Sequence, residues 1–410
     1  MIKRTISALP LRSLLLVSTA LVAAKAYGAD ATWTGPGSEW TVPGNWSPNN
    51  VPGGTATFTN NGAPTSVTVF GVAPAIGTIG FTATSVGYGI DIENNFTING
   101  TGIVNSSGTT QTFTIGNSGP ATVFFRNSAS ASAGSGPVSI NLGGGPGDIE
   151  FDDGSTAGAA AITNGGFVNF NGTSTAQTAV ITNNAILTFN NNSNASTAAI
   201  TNNATVFFFD ATSADGANIT NNVNGAISFN GTSTANLSTI TNNGIIGFEI
   251  SSNAGSAHIT NNNGASVTFD ASSSASMANI TNNSGGTITF NDMSTAGSAT
   301  VGNSGNVSFT GTSTAGSATI TNNAGATVTF DASSTAGFAA FNNSGTVAFT
   351  GTSTAGSAII TDNAGSFLNF SNSSTAGNAT ITNNAVATIQ FLNSSTAGSA
   401  NITNNLNAIT

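Results

Sequence analysis

Cysteine is absent from the 410 residues and charge nearly so: charged residues make up 5% of the chain, with 5 Lys+Arg and a single His. Without cysteine no disulfide can staple the fold, so stability must come from burial and backbone pairing. A chain free of cysteine is also suited to crossing membranes unfolded. Four of the five cations, Lys3, Arg4, Arg12 and Lys25, lie in the first 25 positions. Beyond them stand Arg126 and all fifteen carboxylates, a balance of 1 − 15 = −14. Such a surface repels phosphate backbones and lacks the Lys/Arg clusters that dominate nucleic-acid affinity, which argues against nucleic acid and anionic membranes as partners.

Long apolar runs are also missing. The longest, SLLLVSTALVAA, follows the basic stretch MIKRTISALPLR and precedes small residues around Ala26, Gly28 and Ala29. It falls short of the ~20 residues that a membrane-spanning helix needs. Basic, apolar and small segments in that order predict a signal peptide over 1–29, and therefore export.

The chain is rich instead in glycine, 50 residues, and in repetition. Length alone would suggest two or three globular domains of ~100–200 residues each, but a repeat takes precedence. From 149 to 410 an apolar residue in the phrase ITNN recurs thirteen times, from Ile162, Ile181 and Ile200 through Val301 and Phe341 to Ile402. Its spacing is 19 or 21 residues and never 20. Side chains along a strand alternate faces with period 2, so a one-residue slip would turn a coil inside out.

A second anchor, Phe, runs from Phe151 and Phe170 to Phe370 and Phe391, eleven residues before the next Ile-type position. Val, Ile or Leu stands two residues before each Phe, and Ala two before each Ile-type anchor except at Ser238. This is the alternation of half-buried strands. Two-residue insertions such as Ala324-Gly325 fall between the strands, at the Asn turn. An Ala five before the anchor, from Ala157 to Ala397, marks a tight inward corner.

Each unit therefore reads as strand, Asn turn, strand, then a Ser/Thr/Ala/Gly bend. Gly and Asn at every turn exclude helices. One unit cannot bury its apolar face alone, and stacking in parallel at ~4.8 Å solves this. The expected fold is all-β, a parallel β-solenoid of 19–21 residues per coil over 149–410 whose last coil is incomplete. Residues 30–148 form an irregular β-rich cap and first coils. Asn occupies the position two after the anchor, from Asn164 to Asn404, with Asp362 as the exception. Alternation points this row inward, where stacked amides satisfy one another as Asn ladders do.

Groups able to do chemistry are sparse. Arg126 is the only cation available to assist a lyase, and His258 has no second His for a triad or metal site. Asp270, Asp292 and Asp331 sit at turns that Asp stabilises. Asp148, Glu150 and Asp152 alternate away from Ile149 and Phe151, on the solvated side, and do not match a calcium-binding nonapeptide. Trp33, Trp40 and Trp46 have large apolar area to bury in a cap, with sugar stacking as the other use. A Thr follows the anchor in eleven coils, from Thr163 onward. The second Thr of an ice-binding pair is patchy, so this row reads as an ordinary exposed strand position. No catalytic, cofactor-binding or metal-ligating residue is assigned.

The signal segment, the W-T-G-x-G-S-x-W…N-W-x-P…V-P stretch from Trp33 to Pro52 and the cysteine-free Gly/Asn/Thr/Ser repeats together resemble the passenger region of bacterial autotransporters. The resemblance implies a right-handed parallel β-helix displayed outside the outer membrane, in adhesion or matrix formation. It also implies a C-terminal translocator barrel, whereas this chain stops at NITNNLNAIT. The expected function is an exported, non-enzymatic, adhesin-like solenoid at the cell surface or secreted, whose partners are surface carbohydrate or other cells. The alternatives are a carbohydrate-active β-helix and a truncated autotransporter fragment.

Overall fold

The computed structural model describes residues 28–143 and 147–410; the signal segment expected over 1–29 lies almost wholly outside them. The chain winds as a parallel β-solenoid of about 18 coils. The winding begins well before the repeat counted in the sequence, so the thirteen coils of 149–410 are the regular part of a longer stack.

Two long ladders run along the rod. In one, the Phe ladder, Thr55–Phe58, Ile76–Phe81, Phe96–Asn105, Ala121–Phe125 and Gly147–Phe151 lead into the repeat strands from Phe167–Phe170 to Thr388–Phe391. In the other, the Ile ladder, Ser66–Val69, Gly89–Ile92, Gln111–Ile115 and Val138–Leu142 lead to Ala161–Asn164 and on to Asn401–Asn404. Along the repeat, Ile-type anchors pair with one another, as do Phe anchors. Asn164 and Phe167 are separated by Gly165-Gly166, whereas Asn322 and Thr327 are separated by four residues, yet both ladders continue unshifted. The two-residue insertion is absorbed at the turn.

The bend is more than a bend. It carries a third ladder, one bridged residue per coil, from Gly102–Ser130 through Thr156–Thr175 to Thr375–Thr396. Each coil thus has three sides. Two left-handed residues make the corners on either side of the bridge. The first stands two after Phe, as Asp153, Gly172, Asn191 or Gly231, and the second follows the inward Ala, as Gly158, Asn236 or Gly337. Bridge hydroxyls fasten the second corner: Thr295 Oγ1 accepts the Gly297 N–H at 2.9 Å and Thr335 Oγ1 that of Gly337 at 3.0 Å. A Cβ at Gly337 would stand 2.8 Å from the Gly316 carbonyl oxygen, so glycine there answers to both φ and space. The recurring S-T-A-G phrase is therefore a buried Ser, a capping Thr, an inward Ala and a left-handed Gly.

Inside, the Phe anchors stack from Phe125 to Phe391 with ring centroids 4.5–5.0 Å apart. That distance is the strand spacing itself, so ladder geometry dictates near-parallel rings. At the N-terminal end Trp33, Trp40 and Trp46 are buried around Phe58, with Trp33 and Trp40 packing edge-on against Trp46 at 4.9 and 4.8 Å. Trp46–Ser47 pairs antiparallel to Ala31–Trp33, which in turn lies parallel to Thr55–Phe58. The three Trp thus bury their large apolar area inside the first coils.

Ile250 occupies the first left-handed corner with φ 62° and its side chain is exposed. A β-branched residue in that region is strained, at about 1–2 kcal/mol. Ile250→Asn, the residue used at the same corner at Asn191 and Asn372, is expected to raise stability by about 1 kcal/mol. Thermal unfolding of the two proteins checks this, and an unchanged or lowered midpoint would refute strain at the corner.

Candidate functional site

The inward Asn row is the most ordered polar feature of the molecule. Asn282 Nδ2 donates to Asn303 Oδ1 at 2.8 Å, Asn303 to Asn322 at 2.8 Å and Asn322 to Asn343 at 2.8 Å. The link from Asn164 to Asn183 is 2.6 Å. The same Nδ2 also reaches carbonyls at the next strand's start: Asn282 to Asn306 at 3.1 Å and to its own turn at Gly286, also 3.1 Å. In the short turns Oδ1 accepts a backbone N–H two residues on, as from Gly305 to Asn303 at 3.1 Å. One amide thus closes its turn and ties its coil to the next, and all of the row from Asn164 to Asn383 is buried. At Asp362 the chemistry changes: Oδ1 accepts from Asn343 at 2.6 Å and from Ser366 Oγ at 2.7 Å, but Oδ2 has no partner.

A second buried row accompanies it, formed by the hydroxyl residue preceding the bridge, Ser from Ser155 to Ser374 except for Thr212. Ser193, Ser353 and Ser374 donate to the Phe carbonyl of the preceding coil at 3.0–3.1 Å, whereas Ser294 and Ser313 have no partner. Sequence reasoning missed this row, whose only trace is the constancy of the letter before Thr.

Outside, the solvated acidic face is where alternation placed it. Asp148 and Glu150 flank the buried Ile149, half-exposed, with Asp152 following Phe151. Arg126 lies 4.6 Å above the Phe124 ring and bonds Asp152 Oδ2 through Nε at 3.3 Å. Asp152 Oδ1 accepts from Asn171, whose Oδ1 accepts from Asn190, both at 3.0 Å. Burial pushes the Glu150 carboxyl up, with Asp152 and Asp148 adding to the rise and Arg126 opposing it. Burial likewise raises Asp148, against a backbone hydrogen bond at Phe167.

His258 is exposed between Thr239 and Asn279 of the adjoining coils. The Thr file faces outward, with paired Thr at 239/241, 319/321 and 380/382. The three Trp are buried and so present no ring to a sugar. Among the described residues no group of three or more His, Cys, Asp or Glu could hold a metal ion, and no helix is long and apolar enough to cross a membrane.

One concavity was missed by sequence reasoning, although the Gly-Thr pairs that line it, Gly54-Thr55, Gly77-Thr78 and Gly100-Thr101, recur at a constant spacing. An open groove of about 560 Å³ crosses the N-terminal coils, lined by Asp30, Thr55, Thr78, Thr101, Ser128 and Ser130. Gly54, Gly77 and Gly100 leave its floor bare, and Asp30 Oδ1 accepts the Thr55 N–H at 2.6 Å. It offers hydroxyls, backbone and one carboxylate, a lining suited to a neutral polar ligand.

Comparison with protein-family models, with curated proteins and with solved structures finds no match to this chain. The resemblance to autotransporter passengers is therefore carried by the sequence phrases alone.

Two outcomes follow from the polar geometry. Asn282→Ala removes donor and acceptor from the middle of the ladder and orphans groups on both sides, which costs about 2–3 kcal/mol, whereas Asn283→Ala at the half-exposed neighbour costs about 0.5 kcal/mol or less. Chemical denaturation of both variants measures the difference, and equal losses would disprove the inner row's special role. For Glu150, a raised folded-state pKa means that the folded chain holds the extra proton between the unfolded value near 4.3 and its own, so stability falls as pH rises across that window. Glu150→Gln is expected to raise the thermal midpoint at pH 7 and to leave it unchanged at pH 3.

Proposed function

We propose that the chain is an exported, non-enzymatic rod of autotransporter-passenger type that acts as a scaffold or adhesin at the bacterial surface. The observation that supports this most is the unbroken register of both ladders through every repeat coil. The buried Phe, Ile-type, Ala and Asn rows all serve to make the next coil match the last. Such a molecule extends roughly 80 Å and offers repeated amide and hydroxyl faces at ~4.8 Å intervals. A periodic polar surface suits many weak contacts made together, with surface carbohydrate or another cell as the partner. Export rests on the basic, apolar and small segments over 1–29.

The second reading, a carbohydrate-active β-helix, draws on Glu150, whose carboxyl is raised beside Asp148 and Asp152 on one face, since a raised acid next to further carboxylates is what glycoside hydrolysis employs.

Expression of the full chain in a Gram-negative host, followed by protease treatment of intact cells, tests the proposal. Digestion from outside, with binding of the purified rod to cells or immobilised glycans, is the expected result. Retention in the cytoplasm would overturn export. Release of reducing sugar that Glu150→Gln abolishes would replace the scaffold by the enzyme.

A further inference from the structure

The Asn ladder has one position where its chemistry does not close. Asp362 and Asn383 are register partners in neighbouring coils. In the rest of the repeat an amide Nδ2 donates to the next coil's Oδ1, but a carboxylate has no hydrogen to give. Consistent with this, the Asp362 Oδ2 and the Asn383 Oδ1 are both buried and both lack a partner. The other ends of the two groups are well bound: Asn343 and Ser366 donate to Asp362 Oδ1, and Asn383 donates to Asn404 Oδ1 at 2.9 Å and to the Ile409 carbonyl at 3.0 Å. Neither residue can therefore turn round without losing bonds already made.

Two bare acceptors on consecutive rungs, sealed from water, are each left without the hydrogen bond that a buried polar atom requires. A single proton satisfies both. We propose that Asp362 is carried as the neutral acid, its Oδ2–H donating to Asn383 Oδ1, and that this makes the junction between these two coils proton-dependent. The acid then imitates asparagine, with a hydroxyl in place of the amide N–H. When the proton leaves to solvent, the rung between these coils opens and a charge is left in the core.

The surroundings favour the acid. Asp362 is completely buried. The strands packed about it, Ala340–Asn343, Thr346–Phe349, Phe367–Phe370, Thr380–Asn383 and Thr388–Phe391, contain no titratable side chain. Asp331, the nearest along the chain, follows Phe330 at a different corner, and Thr410 bonds Asn404 on a later rung. Among the described residues no cation faces Asp362 to hold it ionised. Burial raises its pKa, against the hydrogen bonds from Ser366 and Asn343. A raised folded value gives stability that is full below the unfolded pKa near 3.9 and declines as pH rises toward the folded one.

The test compares the wild-type chain with Asp362→Asn, which restores the residue found in the other twelve coils and so folds. Infrared difference spectra between them across a pH titration isolate this one carboxyl. A protonated C=O stretch that vanishes only above the ordinary carboxylate range is the expected result; its loss within that range overturns the proposal. Hydrogen exchange supplies the structural readout. Amides of Thr380–Asn383 and Asn401–Asn404 should exchange about tenfold faster in the wild type than in Asp362→Asn above the titration midpoint, and at equal rates below it. A ratio that does not change with pH overturns the link between the proton and the coils that follow Asp362.

Discussion

Register is the constraint on which everything else in this protein depends. Parallel pairing at one strand spacing places each coil's side chains directly above their counterparts, so every inward position must be compatible with its own copy. Phe tolerates this by near-parallel offset stacking, Ile and Val by ordinary aliphatic contact, and Ala by being small enough to let the corner close. Asn is the one amide short enough to bond its own turn and its counterpart at once. Residues that repel their own copy are correspondingly turned away from the core: Asp292 and Asp331 are exposed and Asp270 is half-buried.

The insertions obey the same constraint. In the repeat the two corners beside the bridge are fixed left-handed turns, leaving the Asn turn as the sole place for extra residues, and there they come in pairs. The N-terminal coils are not so bound. Ile140 pairs with Ile162 and Phe125 with Phe151, both even offsets, and the strand Phe96–Asn105 divides its pairing between two neighbours. Longer, irregular corners let those coils change phase without turning inside out. Odd spacing is thus a property of the standardised corners, not of solenoids in general.

What could be read in the sequence follows from this. The Phe and Ile strands, the inward Asn row and the Trp cap were legible because each is written by period-2 alternation or by large apolar area. The third ladder was not, because a single bridged residue such as Thr175 or Thr335 leaves no alternation to detect. Its evidence was local and chemical, a hydroxyl two residues before a glycine. The five or so coils before the repeat were blurred by their variable corners. The groove beside Asp30 is lined by Gly54-Thr55, Gly77-Thr78 and Gly100-Thr101, a Gly-Thr pair that recurs at a constant spacing of 23 residues; three short copies outside the 19- and 21-residue repeat were too few to stand out. Asp362 was visible as an exception, but only the partners of its two oxygens give that exception a meaning.

Uniformity also determines where individuality can reside. A contact made by one coil of the repeat is offered again by the next, so the regular faces favour recognition by number rather than by a single pocket. Features that break the repeat act once. Arg126 is the only cation after residue 25, and it is committed to the Phe124 ring and Asp152. The groove belongs to the irregular coils, and the carboxyl at 362 interrupts a ladder that is otherwise amide throughout. A rod of this kind is therefore of two parts: the repeat supplies length and a periodic polar surface, and the departures from it are where features that occur once are found.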